Sequence, residues 1–247
     1  MEKHNTYAQK FIDAAAKELF PENFSCLLCG VEIFEGRFCA DCRKEIIFNS
    51  GATCPVCGRK TAKPEICIEC KAKLPAYEKA VSPLVYGEGA AALITRFKNG
   101  KPFMAGWLAG QMASALKQLP AADCMVCVPM TPAARRRRGY NQSELLAERL
   151  GKLTGIPVLE GALSKVAETK HQKRLTAAER AINLAQCFKA DKNLVKGKRI
   201  LLVDDVLTTG ATLNSVAECL KKAGACAVYC VTAASVTFIT SALTDNE

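Results

Sequence analysis

Asp204 and Asp205 are adjacent carboxylates, and Thr208, Thr209, Gly210, Ala211 and Thr212 follow them closely in the string ILLVDDVLTTGAT, residues 200–212. The four residues before the acids, Ile200 to Val203, have the composition of a strand buried on both faces. Behind Thr212 the apolar residues recur with a helical period. A buried strand is therefore expected to end in paired acids, and a hydroxyl-rich turn to open a helix. Open α/β sheets bind ligands at that kind of place. Free backbone N–H groups at a helix N-terminus favour a phosphate, and carboxylates accept hydrogen bonds from hydroxyls. The combination suits a ligand with both a phosphate and neighbouring hydroxyls, such as a ribose phosphate. The expected fold class is α/β, a parallel sheet flanked by helices.

A second chemistry lies in the cysteines. The chain has 14 of them, and eight repeat regularly. Cys26-x2-Cys29 is followed after nine residues by Cys39-x2-Cys42, and Cys54-x2-Cys57 after nine residues by Cys67-x2-Cys70. The two blocks are offset by 28 residues, and Gly30 repeats as Gly58. Paired knuckles of four cysteines match structural zinc, which is tetrahedral and closed. A block this short cannot build a core, so metal binding must drive its folding. Two structural Zn²⁺ sites are expected, with pairing inside each block the simplest arrangement and crossed pairing the alternative. Cys124 and Cys127 are also spaced as CxxC, but they lie in an apparent strand that points them to opposite faces. Cys187, Cys219, Cys226 and Cys230 read as small core residues.

The elements that must position these groups follow from periodicity. Residues 1–20 fit an amphipathic helix through Ala8, Phe11, Ile12, Ala15 and Leu19. Residues 21–75 form the cysteine module, Pro75 to Ser82 reads as a junction, and residues 80–247 form the α/β domain. Within it, one helix is expected through Leu93, Ile94 and Phe97, and another through Met104, Trp107, Leu108 and Met112, with Asn99-Gly100 between them. A strand at Met125 to Val128 leads into a loop containing Thr131, Arg135, Arg136, Arg137 and Arg138. Arginines at a strand's C-terminal end can hold pyrophosphate through forked hydrogen bonds; a solvated loop or a nucleic-acid contact is the alternative. A helix is expected from near Asn141, with Leu146, Leu150 and Leu153 on one side. A basic segment with Lys165, Lys170, His171, Lys173 and Arg174 follows a strand around Pro157 to Leu163.

Composition narrows the setting. The formal charge of +10, from 34 basic and 24 acidic residues, favours anionic partners. No secretory leader is visible, so a cytoplasmic protein is expected. The uncharged stretch Ala223 to Thr244 has 22 residues, yet its Thr and Ser content argues for a buried strand near Ala227 to Val236 rather than a membrane span.

The string at residues 200–212 resembles the phosphoribosyl-pyrophosphate (PRPP) motif of type I phosphoribosyltransferases at every position: an apolar run, two acids, an apolar pair, then TTGxT. Further blocks extend the resemblance: YGEGAAALITRFKNGK at residues 86–101, RRRGYNQSELLA at 136–147 and KHQKRLTAAERAINLAQCF at 170–188. With the cysteine module, the chain is similar to ComF-family proteins from Cys26 to Val236. These are cytoplasmic competence proteins with a phosphoribosyltransferase-like domain behind a zinc ribbon.

The resemblance implies roles. Asp204 and Asp205 would bind the ribose 2′- and 3′-hydroxyls, and Thr208 to Thr212 the 5′-phosphate. Thr131 and Arg135 to Arg138 would meet pyrophosphate. The segment carrying Lys165, Lys170, His171, Lys173 and Arg174 would close over the site. Mg²⁺ would accompany PRPP. Two functions stay open: a phosphoribosyltransferase of DNA uptake or nucleotide metabolism, and a non-catalytic protein of natural transformation that binds single-stranded DNA and partners a helicase. Glutamine-dependent amidophosphoribosyl synthesis is not expected, because that half-reaction needs an N-terminal cysteine and here Met1 precedes Glu2.

Overall fold

The computed structural model describes residues 25–166 and 187–237. The amphipathic helix expected over residues 1–20 lies outside them, as do Lys170, His171, Lys173 and Arg174. The chain divides into two compact units, Met1–Glu45 and Ile46–Glu247.

The first unit contains the first cysteine block. Ser25 and Glu32 form an antiparallel bridge, and helix α1, Ala40–Glu45, carries Cys42. The second unit contains the second block and the α/β domain together. In that block Thr53 bridges Lys60, and helix α2, Ile68–Ala72, carries Cys70.

A parallel sheet organises the second unit. Its strands are β1 (Lys79–Val81), β2 (Leu84–Val85), β3 (Cys124–Cys127), β6 (Arg199–Leu207) and β7 (Ala227–Ser235). The order is β1-β7-β6-β3, with β2 also on β7, and every pairing is parallel. Val158 extends the far edge by a parallel bridge to Met125. Two further strands, β4 (Leu163–Lys165) and β5 (Phe188–Ala190), form a separate antiparallel pair.

The sequence near Pro75 to Ser82, expected as a junction, instead supplies β1. Its residues bond to β7, and Ala80 N–H donates to the Val56 carbonyl of the second block at 2.8 Å. Strand β6 is also longer than its apolar run. It continues through both acids to Leu207 because β7 offers partners up to Ser235.

Side chains alternate across β6. Ile200 and Leu202 share a hydrophobic cluster with Leu213, Val216 and Leu220, which lie on helix α8, Ala211–Lys222, the helix after the short α7, Lys192–Val195. The cysteines of the second block belong to the same cluster. The other face is covered by α4 (Ala105–Ala115) and α6 (Gln142–Thr154), which pack on each other and on the sheet. Helix α3, Glu88–Lys98, buries Leu93, Ile94 and Phe97 as its periodicity predicts. Leu153 departs from expectation: it is 59% exposed at the end of α6. Cys226, expected in the core, is exposed, whereas Cys187 and Cys230 are buried. Among the described residues, no helix is long and apolar enough to cross a membrane.

Gly58 sits where the second block meets β1. Its φ is +67°, and a Cβ would stand 2.3 Å from the Ala80 carbonyl oxygen. Only glycine takes that backbone without strain. Gly58→Ala should destabilise the protein by about 2 kcal/mol or more, from the left-handed backbone and the clash. Gly106→Ala, inside α4 with nothing within 4 Å, should be neutral or slightly stabilising, by about 0.5–1 kcal/mol. Thermal or denaturant unfolding of the two variants checks both.

Candidate functional site

Strands β3 and β6 are neighbours, and the chain leaves them in opposite directions. After β3 it crosses to Val158 on one side, and after β6 it crosses to β7 on the other. The crevice at their C-terminal ends is the switch point where such sheets bind ligands. Cys127 pairs with Val203, and Val128 N–H donates to the Val203 carbonyl at 3.0 Å. The acids that follow Val203 and the segment that follows Val128 therefore stand side by side.

Both carboxylates are half-buried and held. Ser143 Oγ–H donates to Asp204 Oδ1 at 2.8 Å, and the Asp205 N–H donates to the same oxygen at 2.9 Å. Lys98 Nζ lies 2.7 Å from Asp205 Oδ2. Burial raises the Asp204 pKa most, and the neighbouring charge of Asp205 adds to it. Ser143, the Asp205 N–H and Lys98 oppose the rise, and the balance is about 7.

Three sequence blocks converge here through their local chemistry. Asn141 caps α6 by accepting from Ser143 N–H at 3.1 Å, and its Nδ2 donates to the Val128 carbonyl at 3.1 Å. Capping fixes where α6 begins and so brings Ser143 to Asp204. Tyr140 donates to the Phe97 carbonyl, and the two rings lie 6.0 Å apart. That contact anchors the end of α3, from which Lys98 reaches Asp205.

Beyond β6, Thr208 and Thr209 are exposed. Gly210, at φ +82°, is the N-cap residue of α8. Thr209 Oγ1 accepts from Ala211 N–H at 3.3 Å. The loop thus presents hydroxyls and helix N–H groups beside the two acids.

The four arginines lie on a short helix, α5 (Pro132–Arg138), rather than in a loop. Pro132 suits its first position, and Thr131 caps it by accepting from Ala134 N–H at 3.2 Å. Arg135 pairs with Glu144 at 2.9 Å, and Arg138 donates to Gln142 Oε1 at 3.2 Å. Arg136 and Arg137 are exposed and have no ion-pair partner among the described residues. Lys165 lies in β4 with its Nζ 5.6 Å from the Phe188 ring centroid.

A cavity of about 330 Å³ opens beside the end of β3, lined by Met130, Arg135, Asn141, Glu144, Leu159 and Gly161 among others. Cys127 also lines it. Burial, then Glu144, push its thiol up to about 11, so at neutral pH it is a protonated, weakly reactive thiol.

Each cysteine block gathers its own four thiols. The sulfurs of Cys26, Cys29, Cys39 and Cys42 lie within 4.8 Å of one another, as do those of Cys54, Cys57, Cys67 and Cys70. A Zn–S bond of about 2.3 Å gives a tetrahedron edge of about 3.8 Å. Cys29 and Cys39 are 3.8 Å apart, and Cys57 and Cys67 are 3.6 Å apart. In the second block the Cys67 N–H points at Cys54 Sγ at 3.4 Å, a bond that supports a thiolate. Both clusters fit structural zinc, paired within blocks.

Lys98, Ser143, Asn141 and Arg59, whose Nη2 donates to the Thr208 carbonyl, join the site without having been assigned a role from sequence. Asn141 and Ser143 carried a signal, a capping residue at the start of a periodic stretch. Lys98 and Arg59 carried none, because their partners are remote in sequence.

Comparison with known proteins agrees with this architecture. A family model described as a phosphoribosyl transferase domain matches residues 136–238, and one described as a double zinc ribbon domain matches residues 15–71. Competence protein F of Haemophilus influenzae is 33% identical over 214 residues, 82% of this chain and 93% of that protein. DNA utilization protein YhgH of Escherichia coli K12 is 37% identical over 111 residues, 45% of this chain and 48% of that protein. The structure of glutamine PRPP amidotransferase from Bacillus subtilis, complexed with ADP and GMP, shares 27% identity over 51% of this chain and 26% of that chain, with a TM-score of 0.37. The fold and the site define a phosphoribosyl transferase domain combined with a double zinc ribbon. The chain belongs to the competence protein F (ComF) family.

The Asp204 shift has a testable sign. Its native pKa, about 7, exceeds an unfolded value of about 3.9. Between those values the native state keeps a proton that the unfolded chain releases. The group's stabilising contribution is therefore complete at low pH and declines as pH rises through that window. Thermal unfolding from pH 4 to 7, on this reading, shows a decline in the wild type that Asp204→Asn reduces. Ser143→Ala removes a bond to the charged form, worth about 1.5 kcal/mol, and should raise the Asp204 pKa by about one further unit in a ¹³C NMR titration.

Proposed function

We propose that the chain binds PRPP, or a ribose 5-phosphate group, at the switch point between β3 and β6, and that it does so in the handling of DNA during competence. The observation that carries this reading is the Asp204–Asp205 pair, oriented by Ser143 and Lys98 immediately before the glycine-capped start of α8. Asp204 and Asp205 accept hydrogen bonds from vicinal ribose hydroxyls. The N–H and hydroxyl groups of Thr208 to Thr212 take the 5′-phosphate. Arg136 and Arg137 supply positive charge towards the pyrophosphate, with Lys170, His171, Lys173 and Arg174 as further cations.

Mg²⁺ fits this arrangement as a partner of the ligand. The carboxylates are already engaged by Lys98 and Ser143, so the chain offers the ion attraction rather than a closed cage. Hard phosphate oxygens of the ligand would hold it. When bound, it supplies charge neutralisation of the departing pyrophosphate. Transfer at C1′ builds positive charge on the sugar, and Asp204 and Asp205 sit where they can orient the ring as that charge develops. The acids cannot supply an acceptor, which a transferase requires besides this pocket.

Titration calorimetry with Mg²⁺–PRPP tests the reading. Wild-type protein binds, and Asp204→Asn/Asp205→Asn weakens affinity about tenfold or more, since a hydrogen bond to a charged group is worth about 1.5–3 kcal/mol. A wild-type protein that takes up no PRPP would remove the ribose-phosphate reading.

A second reading, single-stranded DNA binding, is favoured by the exposed Arg136 and Arg137 on α5 and by the net charge of +10. It also accords with the names of the relatives, which speak of competence and DNA utilization. The two readings share Arg136 and Arg137, whereas Asp204, Asp205 and the Thr208–Thr212 loop belong to the ribose-phosphate reading alone. The logarithm of affinity for oligothymidine should fall linearly with log salt, and Arg136→Ala/Arg137→Ala should reduce the steepness of that slope by about 1.4, about 0.7 for each lost phosphate contact. An unchanged slope takes these arginines out of the interface.

A further inference from the structure

The two cysteine blocks share a main-chain pattern. Cys26 N–H donates to the Val31 carbonyl at 2.8 Å and Cys54 N–H to the Arg59 carbonyl at 2.9 Å, and both knuckle glycines donate to their first cysteine. The blocks differ in the side chain that follows that glycine. Val31 is 53% exposed, whereas Arg59 is 2% exposed. Burying a guanidinium is costly unless its charge and its N–H groups are both satisfied.

Arg59 finds its partners at two functional places. Nη1 lies 3.8 Å from Cys57 Sγ, and Nη2 donates to the carbonyl of Thr208, the first residue of TTGAT. The packing around that contact is close. A Cβ on Gly210 would lie 3.5 Å from Arg59 Nη2 and 3.7 Å from Tyr77 Oη. Ala76 N–H donates to Asn214 Oδ1, on the first turn of α8, at 2.7 Å. The loop is therefore tied to the second block at its start and to the following segment at its end.

The tie has a directional consequence. A trans peptide is planar, with its C=O and N–H pointing opposite ways. Holding the Thr208 carbonyl towards Arg59 turns the Thr209 N–H to the other side, where it is available as an anion donor. Zinc makes the hold stronger. Four thiolates around one Zn²⁺ leave a local charge of about −2, which compensates the buried guanidinium. Ligand deprotonation accompanies metal binding, so loss of the metal also removes that countercharge.

We propose that Arg59 is a positioning residue for the phosphate loop, and that zinc at Cys54, Cys57, Cys67 and Cys70 sets how tightly this loop holds a phosphorylated ligand. The ligand half of this inference rests on the ribose-phosphate reading above; the coupling of metal, Arg59 and loop does not. Linkage makes the effect reciprocal: a phosphorylated ligand raises the zinc affinity of the second block by the factor by which zinc raises ligand affinity. The first block, with Val31 in the equivalent place, lacks the arginine through which this coupling runs.

Hydrogen–deuterium exchange over residues 209–212, with Mg²⁺–PRPP affinity measured in parallel, tests it. Arg59→Met should accelerate exchange there about tenfold while β6 and β7 amides keep their protection, which also verifies folding. PRPP affinity should fall about tenfold, within the usual range of coupling between sites. Arg59→Lys, which keeps the charge without the fork, should be intermediate. Zinc chelation should reproduce the faster loop exchange in the wild type and add little in Arg59→Met, and Val31→Met should change neither readout. Equal loop exchange in the wild type and Arg59→Met, or an equally large chelation effect in both, overturns the proposal. If the wild type binds no PRPP but loop exchange still follows Arg59 and zinc, the ribose-phosphate reading fails and the coupling stands.

Discussion

The parallel ladder that seats β6 between β3 and β7 sets the terms for the rest of the molecule. Its buried N–H and C=O groups must find partners, and they do so on both sides from Ile200 to Val203. That requirement carries the strand straight into the site, so Asp204 and Asp205 stand on β6 just past the last residue paired with β3. It also aligns β3 beside β6, which brings the start of the arginine helix and the acids to one edge. The crossovers in opposite directions then open the crevice between them.

Placing two carboxylates at the end of a buried strand has an electrostatic cost, and much of the surrounding structure offsets it. Lys98 neutralises Asp205, while Ser143 and a backbone N–H share the charge of Asp204. Those groups come from α3 and α6, which explains why Tyr140 and Asn141 fasten these helices to each other and to β3. Burial, with the neighbouring charge of Asp205, still raises the Asp204 pKa to about 7. Perturbed carboxylates cluster at sites that do chemistry or bind charged ligands.

The cysteine blocks solve a different problem, that of size. Neither is large enough for a core, so zinc substitutes for one. The second block goes further, because its cysteines lie in the same apolar cluster as α8 and the sheet. Val56 bonds to β1, and Gly58 lies against the Ala80 carbonyl. Metal site and α/β domain are thus parts of one compact unit, a division that the composition of residues 75–82 did not reveal. Pro75 to Ser82 read as a junction, yet four residues after Pro75 the chain joins the sheet.

Within the sequence itself, local patterns determined a great deal. Apolar runs and periodicity marked β6, β7 and the helices through Phe97 and Leu108. Cysteine spacing marked both metal sites, since four thiolates around one ion need paired knuckles. The acids and the Thr/Gly turn marked the end of β6 and the start of α8 as a candidate site, because they fall within thirteen consecutive residues. Exposure at element ends was less legible: Leu153 kept the periodicity but lay past the covering surface, and the arginine string folded into a helix because Thr131 and Pro132 make a start signal. What only the tertiary structure decided is who compensates whom. Lys98 meets Asp205, Ser143 meets Asp204, and Arg59 meets Thr208 across 149 residues of chain. A charge or a donor in sequence states a need, and its partner is fixed only when packing brings distant elements within hydrogen-bond reach.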